Sequence, residues 1–224
     1  MRAETPAPAP SSAGAREAYL RALLRADVPA ARQALEDALD AGLPVRAIYL
    51  DVLQPALYEV GRLWSQAKIS VAQEHLATAA TQSAMARLAE SLYDAPRRAR
   101  GVAMVACVSD ELHAVGGRMV ADFLQADGWT VVFLGPLTPG DSLAALAAER
   151  RADVVAVSAA LPDRIPRVAD VCATLRALDP APYILAGGQA FEGDEDRALR
   201  AGADAFAGDA EAAVAALRER FPAG

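Results

Sequence analysis

Two periodicities divide the chain. Over residues 15–94 apolar positions recur every three to four residues, the spacing of one helical face. Tyr19, Leu20, Leu23 and Leu24 form a first stripe that ends near Asp27-Val28-Pro29. Ala30 to Leu39 carries a second, with Gly42 as its stop and Pro44 opening the next helix. Ile48, Leu50, Val52, Leu53, Leu57, Val60, Leu63 and Trp64 run through a third, which Pro55 should bend by removing a backbone donor and crowding the preceding turn. Gln66-Ala67-Lys68 turns the chain, and a fourth helix runs from Ile69 or Ser70 to about Tyr93. Four antiparallel helices with short connections predict a bundle.

After a short polar linker, 96–100, the period changes and short apolar runs alternate with helical stretches. Strands are predicted at 102–108, 130–134, 154–158, 183–186 and 204–206. Helices are predicted at 115–126, 139–150, 163–178, 194–200 and 210–220, with Thr138-Pro139 as a capping hydroxyl followed by proline at the first helical position. Five β-α units over residues 101–224 imply an α/β unit, a five-stranded parallel sheet covered on both faces. Residues 1–14, rich in Pro and Ala and closing on Ser-Ser-Ala-Gly, read as a disordered tail.

Composition narrows the function classes. The 22 basic against 29 acidic residues give a net charge of −7, which argues against a general nucleic-acid binder, and no helix-turn-helix pattern precedes the first helix. Arg97-Arg98-Arg100, the one short basic cluster, reads as a solvated linker. Cys107 and Cys172 fall in a strand and a helix and read as small buried hydrophobes. No apolar span is long enough for a membrane helix or a signal peptide, so a cytoplasmic protein is expected.

In the α/β half the polar, glycine-bearing segments follow strands one, three and four. They are Glu111-Leu112-His113 with Gly116-Gly117, Ser158-Ala159-Ala160-Leu161-Pro162, and Gly187-Gly188-Gln189. In a flavodoxin-like order 2-1-3-4-5 these loops lie together at the carboxyl edge of the sheet, where such folds bind ligands. Glu111-x-His113-x-x-Gly116, then Ser158 after 41 residues and Gly187-Gly188 after 28 more, resembles the three-part signature of the cobalamin-binding domain of corrinoid proteins. Gly128-Trp129-x-Val131-x-x-Leu134-Gly135 is similar to that family as well.

The resemblance implies a Rossmann-like domain in which His113 is the lower axial ligand of cobalt. Glu111 would accept a hydrogen bond from the other ring nitrogen, and Ser158 would extend that relay. Asp110 lies beside Glu111, and which carboxylate reaches the ring stays open. Gly116, Gly187 and Gly188 would leave room for the cofactor's nucleotide tail.

A second match lies in the helical half. Trp64, nine residues, then Glu74-His75, with Val71 between them, resembles the Trp-x9-Glu-His pattern of light-sensing adenosylcobalamin proteins. In that family the bundle caps the upper cobalt face and these residues surround the adenosyl group. Members often carry His directly after the Trp as an upper ligand; here that position is Ser65, so His75 or water would have to serve after photolysis. The resemblance implies a stand-alone photoreceptor acting through self-association or a separate regulator or effector protein, with adenosylcobalamin as cofactor. A second tetrapyrrole such as biliverdin is compatible with the same motifs. The competing readings are a corrinoid methyl carrier of a methyltransferase system and a cofactor-free flavodoxin-like scaffold.

Overall fold

A computed structural model describes residues 11–93 and 99–222. The chain forms two compact units that divide between Leu92 and Tyr93.

The first unit is helical. It contains α1 (Ser12–Leu24), α2 (Val28–Asp40), α3 (Val45–Ala47), a π-helical segment (Ile48–Leu53), α4 (Gln54–Ser65) and α5 (Val71–Leu92). The expected tail is shorter than 1–14, because Ser11 accepts from the Gly14 amide and starts α1 at Ser12; residues 1–10 lie outside the described residues. Asp27 likewise accepts from the Ala30 amide, so α2 begins at Val28 with Pro29 in its first turn. Gly42, at φ +90°, ends α2 in the left-handed conformation that glycine adopts without penalty.

Where a bend is expected at Pro55, the structure shows a widened turn. Pro55 has no N–H to offer the preceding turn, and the turn before it is widened, with the Gln54 amide donating to the Tyr49 carbonyl. Ile48, Tyr49, Val52 and Leu53 of this segment are all fully buried. The few polar atoms in the bundle core are paired: Tyr19 Oη lies 2.8 Å from Thr81 Oγ1, and Tyr49 Oη donates to the Met85 carbonyl at 3.1 Å.

The second unit contains β1 (Val102–Cys107), α6 (Val115–Ala126), β2 (Thr130–Gly135), α7 (Gly140–Arg150), β3 (Val154–Ser158), α8 (Ile165–Arg176), β4 (Tyr183–Gly187), α9 (Glu195–Arg200), β5 (Ala205–Ala207) and α10 (Ala210–Arg220). Its strands form one parallel sheet in the order β2-β1-β3-β4-β5, the flavodoxin-like arrangement. Alternation places Met104, Val155 and Ile184 in the core cluster shared with Leu143, Val171 and Leu175 of α7 and α8.

Two expectations change. Thr138 does not cap α7: its hydroxyl donates to the Gly135 carbonyl at 3.3 Å, and the helix follows Pro139 without a side-chain cap. Arg164 ends a 3-10 turn, Pro162–Arg164, and α8 starts at Ile165 because Pro166 is tolerated only in the first helical turn.

Arg100 is also not a solvated linker residue; Arg97 and Arg98 lie outside the described residues. Arg100 donates to the Asp127 carbonyl at 3.1 Å and the Phe221 carbonyl at 2.8 Å, and its Nε lies 3.0 Å from Asp127 Oδ2. Arg218 adds two bonds to Asp127 Oδ1, at 2.8 and 2.7 Å. Asp127 is buried at the carboxyl end of α6, where a negative charge is disfavoured by the helix dipole and stands only because two guanidiniums meet it. Asp127→Ala strands the mostly buried Arg100, and urea unfolding of the second unit is expected to lose about 3 kcal/mol. A loss below about 0.5 kcal/mol would contradict this role.

Candidate functional site

The strands end in register at the carboxyl edge. Cys107 pairs with Ser158, Ser158 with Gly187, and Gly187 with Ala207, so the loops after β1, β3 and β4 leave from one row. The β1 loop turns through Asp110, whose φ of +66° directs the chain back on itself. Glu111 is thereby tucked in, at 1% exposure, while the His113 side chain remains half exposed.

Glu111, not Asp110, reaches the imidazole. Glu111 Oε1 lies 2.5 Å from His113 Nδ1 and accepts from the His113 amide at 2.9 Å. Oε2 accepts from the Ala160 amide at 2.8 Å. Asp110 is exposed and faces Arg167 at 3.7 Å. Burial alone would push the Glu111 carboxyl up, but the His113 ring, then the His113 and Ala160 amides, hold it down at about 2. An ionised carboxylate on Nδ1 keeps the proton on that nitrogen and presents Nε2 as the electron-pair donor for a metal.

The expected Ser158 relay is absent among the described residues. Ser158 receives the Val108 amide on its carbonyl, and the second oxygen of Glu111 is taken by Ala160 instead. A backbone amide carries no side-chain signature, so this partner is invisible in the sequence. The loop after β2 was also missed. Leu137 donates its amide to the Glu111 carbonyl at 3.0 Å and Thr138 to the Cys107 carbonyl at 3.3 Å, pinning a fourth segment to the β1 loop. Its signal was available, since β2 flanks β1 in the predicted order. Leu112, Leu137 and Leu161, one from each of three loops, are left exposed.

The three glycines differ in what they answer to. A Cβ on Gly188 would stand 2.2 Å from the Ala159 carbonyl oxygen, and one on Gly187 2.6 Å from that of Ala207. Both are required by backbone approach within the sheet edge itself. A Cβ on Gly116 would meet nothing within 4 Å, so this position opens outward beside His113.

In the helical unit Trp64 is 44% exposed and Val71 is exposed too, so neither is core filler. Glu74 is mostly covered and accepts from Thr78 at 2.8 Å. Its other oxygen lies 3.6 Å from Nε2 of His75, whose side chain is 74% exposed. Ser65 Oγ donates to the Arg62 carbonyl at 2.9 Å, so the hydroxyl is turned back onto its own helix.

A family model described as a B12 binding domain matches residues 101–218, and a second of the same description matches residues 15–89. The chain belongs to the B12-binding family. It is 30% identical over 197 residues to the HTH-type transcriptional repressor CarH of Myxococcus xanthus, covering 81% of this chain and 64% of that protein. It is 30% identical over 190 residues to the HTH-type transcriptional repressor CarA of the same organism, covering 84% and 62%. The chain thus spans a little under two thirds of the length of these two relatives. The monomethylamine corrinoid protein 2 of Methanosarcina acetivorans is 26% identical over 148 residues, 65% of this chain and 68% of that protein. The structure of the Methanosarcina barkeri monomethylamine corrinoid protein shares the fold, with TM-score 0.82 at 24% identity over 93% of this chain and all of that one.

The donor set fits the cofactor that this family binds. Among the described residues no group of three or more His, Cys, Asp and Glu could cage a metal ion. Cys107 offers no thiolate, because burial, then the Glu111 charge, pushes its thiol up to about 12. One imidazole with a fixed tautomer suits a metal whose other nitrogen ligands come with a macrocycle, as in cobalamin. His113 would hold the cobalt, Glu111 would orient the ring, and Gly116 would admit the cofactor beside it. Among the described residues no helix is long and apolar enough to cross a membrane.

Folding lowers the Glu111 pKa from the ordinary 4.5 to about 2. Its stabilising contribution is therefore complete above about pH 4.5 and is lost as pH falls through 4.5 toward 2. At pH 7 Glu111→Gln is expected to lower the unfolding free energy by an amount on the order of 3 kcal/mol, and the gap should narrow as the pH approaches 3. A gap that stays constant from pH 7 to pH 3 would contradict the ionised, hydrogen-bonded carboxylate.

Proposed function

We propose that this cobalamin protein is a light-responsive signalling module. The observation that carries the reading is the exposed Trp64 together with the exposed Val71 and His75 and the mostly covered Glu74, all flanking the α4–α5 turn in a chain that also carries the Glu111–His113 site. Adenosylcobalamin, when bound, supplies a cobalt–carbon bond that visible light cleaves.

In this reading His113 would hold the cobalt, and Trp64, Val71, Glu74 and His75 would contact the cofactor's adenosyl group. Covering roughly 100 Å² of the Trp64 ring at about 25 cal/mol per Å² contributes about 2–3 kcal/mol. That matches the 1–3 kcal/mol typical of a coupling between two sites, so loss of the group covering Trp64 is enough to shift a two-state equilibrium of the bundle. The signal then passes through self-association or a separate regulator. Ser65, with its hydroxyl bonded back to Arg62, does not serve as an upper ligand, and His75 is the remaining imidazole for that position. A biliverdin-like second tetrapyrrole is compatible with this proposal as an accessory chromophore, and the same spectra would show it.

The similarity to a monomethylamine corrinoid protein favours a second reading, a methyl carrier of a methyltransferase system. Illumination separates the two. Protein loaded with adenosylcobalamin in darkness is expected to change its absorption spectrum and its elution volume under green light, and Trp64→Ala to keep the spectral change but lose the change in size. Absence of both changes in the parent protein overturns the sensor reading. His113→Ala is expected to lose the spectral signature of a histidine-ligated cobalt; an unchanged spectrum removes the ligand assignment.

A further inference from the structure

The segment from Trp64 to His75 is keyed to the rest of its unit by one side chain that the sequence motif does not include. Gln73 Oε1 accepts from the Ser70 amide at 3.0 Å and from the Ser70 hydroxyl at 3.1 Å. Ser70 Oγ accepts in return from the Gln73 amide at 3.3 Å, completing a reciprocal cap at the start of α5. Gln73 Nε2 reaches in the other direction and donates to the Leu24 carbonyl at 3.2 Å. Leu24 is the last residue of α1, where helical carbonyls lack intrahelical donors. One amide group therefore caps the beginning of α5 and the end of α1 together.

The other end of the segment is fixed independently. Ala67, at φ +54°, closes α4: its amide donates to the Trp64 carbonyl at 2.8 Å, and that of Lys68 to the Leu63 carbonyl at 2.9 Å. Between these two anchors lies a short turn with Trp64 on one side and Val71, Glu74 and His75 on the other. Neither Trp64 nor Val71 is held by burial, so their placement follows from the turn.

We propose that Gln73 is a positioning residue for the cap, setting where Val71, Glu74 and His75 stand relative to Trp64 and hence how the unit distinguishes upper ligands of cobalamin. This rests on the reading that these residues meet the upper ligand. Two variants divide the side chain's roles. Gln73→Glu keeps an acceptor for Ser70 at a helix start that favours negative charge, and removes the donor to Leu24. Gln73→Ala removes both.

The experiment measures binding of adenosylcobalamin and methylcobalamin in darkness to the full chain and both variants, with thermal unfolding and amide hydrogen exchange of the cofactor-free proteins alongside. The parent is expected to prefer adenosylcobalamin. Gln73→Glu should unfold within a few degrees of the parent, retain exchange protection over 69–75, bind methylcobalamin unchanged, and lose at least fivefold of the adenosyl preference. Gln73→Ala should lose that preference and the protection over 69–75. An adenosyl preference undiminished in both variants overturns the proposal, as does an equal loss of both cobalamins, which marks a purely structural role. A parent protein that binds both cobalamins without preference removes the cap reading, and this proposal with it, before any variant is compared.

Discussion

Glu111 sits buried in its loop with one oxygen on the imidazole and amide of His113 and the other on the amide of Ala160. A carboxylate taken out of water costs several kcal/mol unless donors replace its hydration, and these donors come from two different loops. The same residue's carbonyl receives the Leu137 amide, so a third loop closes on it. The arrangement exists only when β2, β1 and β3 lie side by side and their carboxyl ends are in register, as the sheet order provides. The interaction thus links the fold to the chemistry: the sheet brings the donors together, the donors keep the carboxylate ionised, and the carboxylate sets the imidazole tautomer.

Much of this was legible in the residue pattern. The change of period near residue 100 separated a helical half from an α/β half, and the strands and helices fall within a few residues of their expected places because short apolar runs and three-to-four spacings are strong over Val102 to Leu217. The pairing of polar loops with strand ends pointed to the edge of the sheet where Glu111 and His113 meet. What was not legible has common physical causes. Ala160 acts through its backbone, which any residue supplies. Arg100 looked like a surface cation because its anion, Asp127, lies far along the chain and meets it only after α6 is in place. Thr138 satisfies the same hydroxyl with a turn carbonyl that it could have satisfied at a helix start. Pro55 announced an irregularity but not that the helix would widen ahead of it.

Membership of the B12-binding family rests on matches to both halves of the chain, and the Glu111–His113 pair offers one oriented imidazole nitrogen to a metal. In the helical half the turn between α4 and α5 is short and closely braced, from the left-handed Ala67 that ends α4 to the shared cap at Ser70 and Gln73. Ser65 Oγ is bonded to its own helix, at the Arg62 carbonyl.

Nitrogen NMR of the cofactor-free protein reads the protonation pattern of His113 directly. In a His75→Gln protein uniformly labelled with nitrogen-15, a single imidazole remains. At neutral pH the ring is expected to carry its proton on Nδ1 and to leave Nε2 unprotonated. A ring carrying its proton on Nε2 and none on Nδ1 would contradict it.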